Sequence, residues 1–256
     1  MSYWVLKAVL TPLLRFFYRV KAEGLEHIPG DGPLIMASNH VSFSDSFFLP
    51  LVLRRRITFV AKAEYFEDPK TAWFFRAVGQ IPIKREGGSA SQGALAAARE
   101  VLEQGGVFGI YPEGTRSPDG RLYKGHTGIA RLALQTRAPI CAVAMVGTRE
   151  AQPIGQIMPR LFMPITVKVS PLLDFQRFYE RADDPVVLRQ ITDEVMFRLR
   201  ELSGQDYVHH YAKRHGAVEG IGAEPVQLSS EPASPRSSSP SGRVSPGSTE
   251  LASATG

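Results

Sequence analysis

A histidine and an aspartate lie five positions apart in residues 39–45, directly after the apolar run 33–38. If the chain turns between His40 and Asp45, the carboxylate can accept a hydrogen bond from one imidazole nitrogen and fix the tautomer of the ring. The other nitrogen can then take a proton from an attacking hydroxyl, and the carboxylate stabilises the imidazolium that forms. The pair predicts general-base chemistry, although Asp45 as an ordinary helix cap would explain the same spacing.

A second polar segment, residues 111–117, also follows an apolar run directly. Gly114 allows the backbone to turn, and Arg116 offers a planar set of donors suited to a phosphate group. Glu113 would either orient Arg116 or accept a substrate hydroxyl. Taken alone, the segment is also explained by a surface loop with a salt-bridged arginine.

Two basic positions precede predicted helices. Residues 79–85 end in Lys84 and Arg85, and the glycines that follow open a helix whose free backbone N–H groups attract anions. Lys124, before Gly125, repeats the arrangement. Each position is a candidate phosphate contact, and each taken alone is only a basic loop.

The joint order of these segments resembles the four successive blocks of the glycerolipid acyltransferase family, typified by bacterial 1-acylglycerol-3-phosphate acyltransferases. The likeness covers residues 24–150 and includes a fourth block at residues 138–140. The resemblance implies that His40 is the general base and that Asp45 orients it. It also implies that the acceptor's phosphate and glycerol are held by Arg85, Glu113, Gly114, Thr115 and Arg116. Two positions depart from the commoner pattern, because Tyr111 stands where Phe is usual and Pro82 interrupts an apolar run.

The resemblance further implies the reaction: transfer of a fatty acyl group from acyl-CoA or acyl carrier protein to 1-acyl-sn-glycerol 3-phosphate, forming phosphatidate for phospholipid biosynthesis. We expect neither a metal nor another cofactor, because a thioester is already an activated acyl donor. We also expect no nucleic acid partner. Three alternatives stay open: glycerol 3-phosphate or another lysolipid as acceptor, a non-catalytic lipid-binding protein, and a hydrolase that uses Ser42 or Ser44.

Apolar runs alternate with helical patterns through most of the chain, which predicts an α/β fold with a mostly parallel central sheet flanked by helices. The predicted strands are residues 33–38, 57–61, 80–83, 107–111, 139–146 and 165–171. The predicted helices are residues 45–54, 70–78, 89–104, 126–136 and 184–202.

The first 20 residues contain Lys7, Arg15 and Arg19 but no acid. These charges and Pro12 interrupt the apolar run, so we predict an amphipathic helix that lies in a membrane interface and does not span it. Its large apolar side chains would reach into lipid while its bases meet anionic headgroups. The side chains in question are Trp4, Leu6, Leu10, Leu13, Leu14, Phe16 and Phe17. A helix packed on the protein's own core is the alternative.

We assign residues 23–215 to the α/β domain and residues 216–256, rich in Pro and Ser, to a disordered tail.

The net charge of +5 suits an anionic partner. Cys141 is the single cysteine, so no internal disulfide is possible, and its apolar surroundings predict an inert buried thiol. His209, His210 and His215 lack the spacing of a metal site. We therefore expect a peripheral or monotopic protein on the cytoplasmic face of the cell membrane.

Overall fold

The computed structural model describes residues 2–83, 90–156 and 158–213. Arg85 and the predicted tail at 216–256 lie outside the described residues. The helices are α1 (Ser2–Phe17), α2 (Asp45–Val52), α3 (Glu64–Glu67), α4 (Pro69–Ala77), α5 (Ala90–Glu103), α6 (Gly128–Thr136), α7 (Thr148–Ala151) and α8 (Pro185–Ser203). The strands are β1 (Arg19–Glu23), β2 (Leu34–Ser38), β3 (Ile57–Thr58), β4 (Val60–Lys62), β5 (Ile81–Ile83), β6 (Val107–Ile110), β7 (Leu122–Tyr123), β8 (Ile140–Val146), β9 (Pro164–Val169) and β10 (Tyr207–Val208). Short 3-10 helices occupy Leu25–His27 and Gln176–Arg181.

Six strands form the central sheet, in the order β1-β9-β8-β2-β6-β3. Every neighbouring pair is parallel except β8 and β9. The predicted mostly parallel α/β fold is therefore confirmed. Strand β2 lies at the centre, between β8 and β6, so the residue that follows it emerges in the middle of one sheet edge.

Both faces of the sheet are covered, which explains why the central strands are apolar without strict alternation. Side chains of β2 point alternately into two cores: Ile35 packs with α5, α6 and α8 on one face, whereas Met36 packs with α2 and the end of α1 on the other. Cys141 is fully buried in the second core, where burial raises the pKa of its thiol to about 12. The thiol is inert at neutral pH, as its surroundings in the sequence predict.

The predicted strand 57–61 is divided between two sheets. Its first part, β3, pairs with β6, and its second part, β4, pairs with β5 in a separate two-stranded sheet. Phe59 lies at the division, and its ring packs so closely over Gly109 that a Cβ at Gly109 would lie 2.2 Å from it. The chain leaves the central sheet at this ring. Pro82 lies in β5, which has one partner strand, so its missing N–H removes no bond of the central sheet.

The N-terminal helix ends earlier than predicted. It stops at Phe17, and β1 begins at Arg19 and pairs in parallel with β9, so the predicted boundary at residue 22 is wrong. The pairing partner is far away in sequence, which the local pattern does not reveal. Lys7 also departs from the expectation: it lies on the inner side of the helix and donates to the carbonyl of Leu53, and burial lowers the pKa of its ammonium.

Candidate active site

The two polar segments meet because the strands that precede them are neighbours. Strands β2 and β6 are parallel, so the loops at their carboxyl ends emerge side by side. The N–H of Ser117 donates to the carbonyl of His40 across 2.7 Å, which ties the loops together. Sequence segments more than 70 positions apart therefore form one site.

Asp45 organises the first loop. Its Oδ2 accepts hydrogen bonds from the backbone N–H groups of Val41 and Ser42, each at 2.9 Å, and lies 3.0 Å from Nδ1 of His40. Because two amide donors already point at Oδ2, this oxygen carries no proton, and Nδ1 must be the donor of the third bond. Nε2 of His40 is then left with a free lone pair, as a general base requires.

The simple helix-cap explanation of Asp45 does not fit this geometry. The N-cap of α2 is Ser44, and Asp45 is the first residue inside the helix. Its carboxylate is fully buried and reaches back to the loop before the helix. The carboxylate shapes the loop and orients the imidazole at once.

An aromatic ring holds the other side of His40. The Tyr111 ring stacks on the imidazole with centroids 3.8 Å apart and planes inclined by 13°. The Tyr111 hydroxyl is bonded to that of Ser46 at 2.8 Å, and burial together with the negative charge of Asp45 raises the pKa of Tyr111. The phenol stays neutral and the imidazole is fixed in position and tilt.

Glu113, in the second loop, directs its carboxylate into the protein beneath His40. Its Oε2 accepts the backbone N–H of His40 at 3.1 Å, and its Oε1 accepts that of Tyr123 at 2.9 Å. Burial raises the pKa of the carboxyl to about 7, although these two hydrogen bonds oppose the rise. The sequence predicts a substrate contact for Glu113, but the structure places its carboxylate inside the protein as a tie between three backbone segments.

Arg116 reaches the same cavity as His40. Gly114 has a φ of 73°, so the turn that carries Thr115 and Arg116 past the buried Glu113 needs a residue without a Cβ. None of the hydrogen bonds or ion pairs found among the described residues involves the Arg116 guanidinium. Arg116 thus lines the same cavity as the imidazole and has free donors.

The cavity has a volume of about 170 Å³ and continues from His40 between helices. Its walls are mainly apolar and come from α1, α2, α4 and β4, and the charged side chains of Lys7, Lys62 and Arg116 also line it. The apolar lining includes Leu6, Leu10, Leu14, Phe43, Phe47, Phe74 and Phe75. The arrangement suits a ligand with a long apolar part and an anionic head.

One predicted phosphate contact, Lys124, is not brought to this cavity. Its ammonium lies over the Tyr211 ring, 5.4 Å from the centroid. Arg85 lies outside the described residues, so its predicted role stays a prediction.

A family model described as "Acyltransferase" matches residues 19–146, half of the chain. The chain belongs to the acyltransferase family. The matched range contains both loops of the site and confirms the resemblance seen in the sequence.

Relatives with assigned names support the same branch of this family. The chloroplastic 1-acyl-sn-glycerol-3-phosphate acyltransferase LPAT1 of Arabidopsis thaliana is 34% identical over 140 residues, covering 54% of this chain and 39% of that protein. A 1-acyl-sn-glycerol-3-phosphate acyltransferase of Limnanthes douglasii is 35% identical over 153 residues, covering 59% of this chain and 53% of that protein. The chain thus spans only part of the length of these plant relatives.

A solved structure extends the likeness to the fold. The crystal structure of the 1-acyl-sn-glycerophosphate (LPA) acyltransferase PlsC from Thermotoga maritima matches with a TM-score of 0.58 and 29% identity. The match covers 77% of this chain and 76% of that chain. The fold of this acyltransferase-family chain is therefore PlsC-like beyond the segment matched by the family model.

The serines near His40 are structural within this acyltransferase fold. Ser42 is fully buried, and its hydroxyl is 2.8 Å from that of Ser44 and donates to the carbonyl of Gln152 at 2.9 Å. Neither hydroxyl is bonded to the imidazole. The geometry argues against a hydrolase that uses one of them as nucleophile.

Sequence reasoning missed Gln205, in the C-terminal part of the domain, which links the two loops by hydrogen bonds. Gln205 accepts a hydrogen bond from Asn39 Nδ2 at 2.8 Å and donates to the carbonyl of Gly120 at 2.6 Å. Asn39 also exchanges two hydrogen bonds with the backbone of Met145 in β8. Gln205 lies outside any motif, so no local signal marks it, whereas Asn39 is visible as the polar residue that ends the β2 run.

Proposed function

We propose that this chain is a 1-acyl-sn-glycerol-3-phosphate O-acyltransferase that uses acyl-CoA or acyl carrier protein as donor. The observation that carries the proposal is the imidazole of His40, whose Nδ1 is bonded to Asp45 and whose ring lines a cavity shared with Arg116. The names of the plant relatives and of the Thermotoga maritima protein favour the same acceptor. The reaction needs no metal or other cofactor.

The chemistry follows from the tautomer. Nε2 of His40 takes the proton from the acceptor hydroxyl as its oxygen attacks the carbonyl carbon of the thioester. Asp45 stabilises the imidazolium that results. The carbon–sulfur bond then breaks, and the leaving sulfur takes the proton from the imidazolium. The products are an ester and a free thiol, and His40 returns to its starting state.

The lining of the cavity suits separate binding of the phosphate group and of the fatty acyl chain. Arg116 provides the cationic donors that a phosphomonoester needs. The apolar walls between α1 and α4 suit a fatty acyl chain, whose burial is favourable in proportion to its apolar area. Binding both groups on either side of Nε2 would place the hydroxyl and the thioester next to the base.

Because the substrates are membrane lipids, we propose that the chain acts at a membrane surface that carries anionic lipid. We propose the cytoplasmic face of the cell membrane as the location of the chain. Among the described residues, no helix is long and apolar enough to cross a bilayer. Helix α1 supplies one wall of the cavity, so a lipid substrate could enter from the side on which this helix lies.

One assay separates this function from its competitors. The purified chain is given acyl-CoA with or without 1-acyl-sn-glycerol 3-phosphate, and free thiol and lipid products are measured. Transfer predicts thiol only with acceptor, in equal amount to the phosphatidate formed. Thiol in both reactions would indicate a hydrolase, and thiol in neither would favour a lipid-binding protein. Replacing the acceptor by glycerol 3-phosphate or other lysolipids, and the donor by acyl carrier protein, identifies the preferred pair.

A further inference from the structure

The outward side of α1 is apolar, although its inward side is already packed. Leu6, Leu10 and Leu14 face the cavity, which is the role expected of the apolar stripe of an amphipathic helix. The opposite side should then be polar. It instead exposes Val5, Val9, Leu13 and Phe16, the last with 74% of its surface accessible.

A loop between α7 and β9 continues this apolar surface. Leu161 and Phe162 are both exposed there, Phe162 by 60%. The N–H of Phe162 donates to the carbonyl of Phe17 at 2.7 Å, and the two rings lie 6.1 Å apart. Phe17 in turn contacts Phe16 at 5.2 Å. The loop therefore lies directly against the end of α1.

The backbone of Phe162 is strained. Its φ is 63°, in the left-handed region that a bulky side chain rarely adopts. Such strain persists when the surrounding structure fixes it, and it is concentrated at sites with a function. Here the strained residue holds a large aromatic ring in solvent, where burial in the protein gives no compensation.

The two chain segments that carry this surface have charges of one sign. Residues 2–22 and 151–163 contain no acid. Arg15, Arg19 and Arg160 are exposed, and none of the ion pairs found among the described residues includes them. Apolar side chains bordered by free arginines match a bilayer with anionic headgroups, because the rings enter the acyl boundary while the guanidinium groups meet phosphate.

We propose that Leu161 and Phe162 form a second membrane contact beside α1, and that the two elements together dock the chain on an anionic bilayer. We call Val5, Val9, Leu13, Phe16, Leu161 and Phe162 the lipid-facing surface. Two contacts fix the rotation of α1 about its axis, so its inner side keeps lining the cavity while its outer side lies in lipid. The inference rests on the proposed function insofar as the substrates are bilayer lipids.

The test uses Phe162→Gly, because glycine adopts a positive φ without strain. The variant removes the ring and relieves the backbone, so its melting temperature should be equal to or above that of the wild type. Its partition onto vesicles of phosphatidylcholine with about one-third phosphatidylglycerol should fall roughly fivefold to tenfold. If Phe162 served only the fold, the variant would instead have a lower melting temperature and an unchanged partition onto vesicles.

Phe197→Ala is the matched control. Phe197 is 53% exposed on α8, which packs on the opposite face of the sheet from α1. Its loss should change vesicle partition by less than about twofold. Pure phosphatidylcholine vesicles should bind the wild type more weakly than the anionic ones, because the arginines then have no net headgroup charge to meet.

Three results would overturn the proposal. They are a vesicle partition of Phe162→Gly equal to that of the wild type, an equal loss of partition in Phe197→Ala, or equal binding of the wild type to both vesicle types. Loss of self-association in gel filtration, with vesicle binding unchanged, would instead make this surface a subunit contact. Acyl transfer by the wild type in detergent is measured in parallel. Its absence would contradict the proposed function and leave the vesicle comparison valid.

Discussion

The loops after β2 and after β6 lie side by side but are built in opposite ways. In the first, the functional side chain is tied down: His40 is bonded to Asp45, stacked on Tyr111 and half enclosed. In the second, the buried Glu113 is the residue held by hydrogen bonds, because its carboxylate accepts the backbone N–H groups of His40 and Tyr123. Arg116 reaches the cavity without a hydrogen-bond or ion-pair partner among the described residues.

The difference fits the two tasks that we propose for the loops. Proton transfer requires one tautomer and one direction of a lone pair, so the protein fixes the imidazole with a buried carboxylate. Phosphate binding requires donors that have no competing acceptor, so the protein fixes only the backbone beneath the arginine. The predictions below test whether chemistry and binding are separated between the loops in this way.

The largest effect is expected at His40. His40→Ala removes the base but neither of the backbone hydrogen bonds that Asp45 accepts from Val41 and Ser42. We expect kcat to fall by about 10²- to 10⁴-fold with the melting temperature little changed. Steady-state kinetics with acyl-CoA and lysophosphatidate measure this. Turnover near the wild-type value would remove His40 from the mechanism.

Glu113→Gln tests the buried tie through its pH dependence. The pKa of Glu113 is raised from 4.5 to about 7 in the folded chain, so the folded state holds its proton more tightly than the unfolded state does. Its contribution to stability is fully present below the unfolded pKa and is lost as pH rises through about 7. Between about pH 5 and about pH 8 the wild type should lose roughly 2–3 kcal/mol relative to the variant, which cannot titrate. Denaturant unfolding across this range measures the difference, and parallel curves would contradict the assignment.

Arg116→Ala should affect binding more than chemistry. The loss of charge-assisted bonds to phosphate predicts a rise of about tenfold to thirtyfold in the KM for the acceptor, with the KM for the donor nearly unchanged. Arg121→Ala is a control, because Arg121 lies on the same loop but is paired with Asp119. A change confined to the acyl donor would show that the second loop holds a different substrate.

The smallest effect is expected from Tyr111→Phe. The ring that stacks on His40 is kept, and only the hydrogen bond to Ser46 is lost. We expect kcat within about threefold of the wild type, since one such bond contributes about 1 kcal/mol. Tyr111→Ala removes the stack and should lower kcat further. Equal effects of the two substitutions would show that the hydroxyl, and not the ring, supports the imidazole.

Much of the fold was accessible from the sequence, because strands β2, β6 and β8 are continuous apolar runs followed by polar residues. The His40–Asp45 pairing was accessible for the same reason, since a turn of five residues is a local event. The exceptions depend on distant contacts. The local pattern does not show that Arg19–Glu23 would pair with β9, or that the predicted strand 57–61 would divide between two sheets at Phe59.

The site shows the same limit. The motif around Glu113 suggests a substrate contact, but only the folded chain brings the backbone N–H groups of His40 and Tyr123 to its carboxylate. Gln205 closes the loops from a segment with no motif at all. The residues proposed to touch substrate are thus easier to find from sequence than the residues that position them.

The tautomer of His40 tests the central claim most directly. The chain contains six histidines, and the His40 signals in a long-range ¹H–¹⁵N spectrum of histidine-labelled protein can be assigned by their absence in His40→Ala. At a pH where the ring is neutral, the account predicts a proton on Nδ1 and a bare Nε2. A neutral ring protonated on Nε2 would contradict it, because the nitrogen assigned as the base would then have no lone pair for the acceptor's proton.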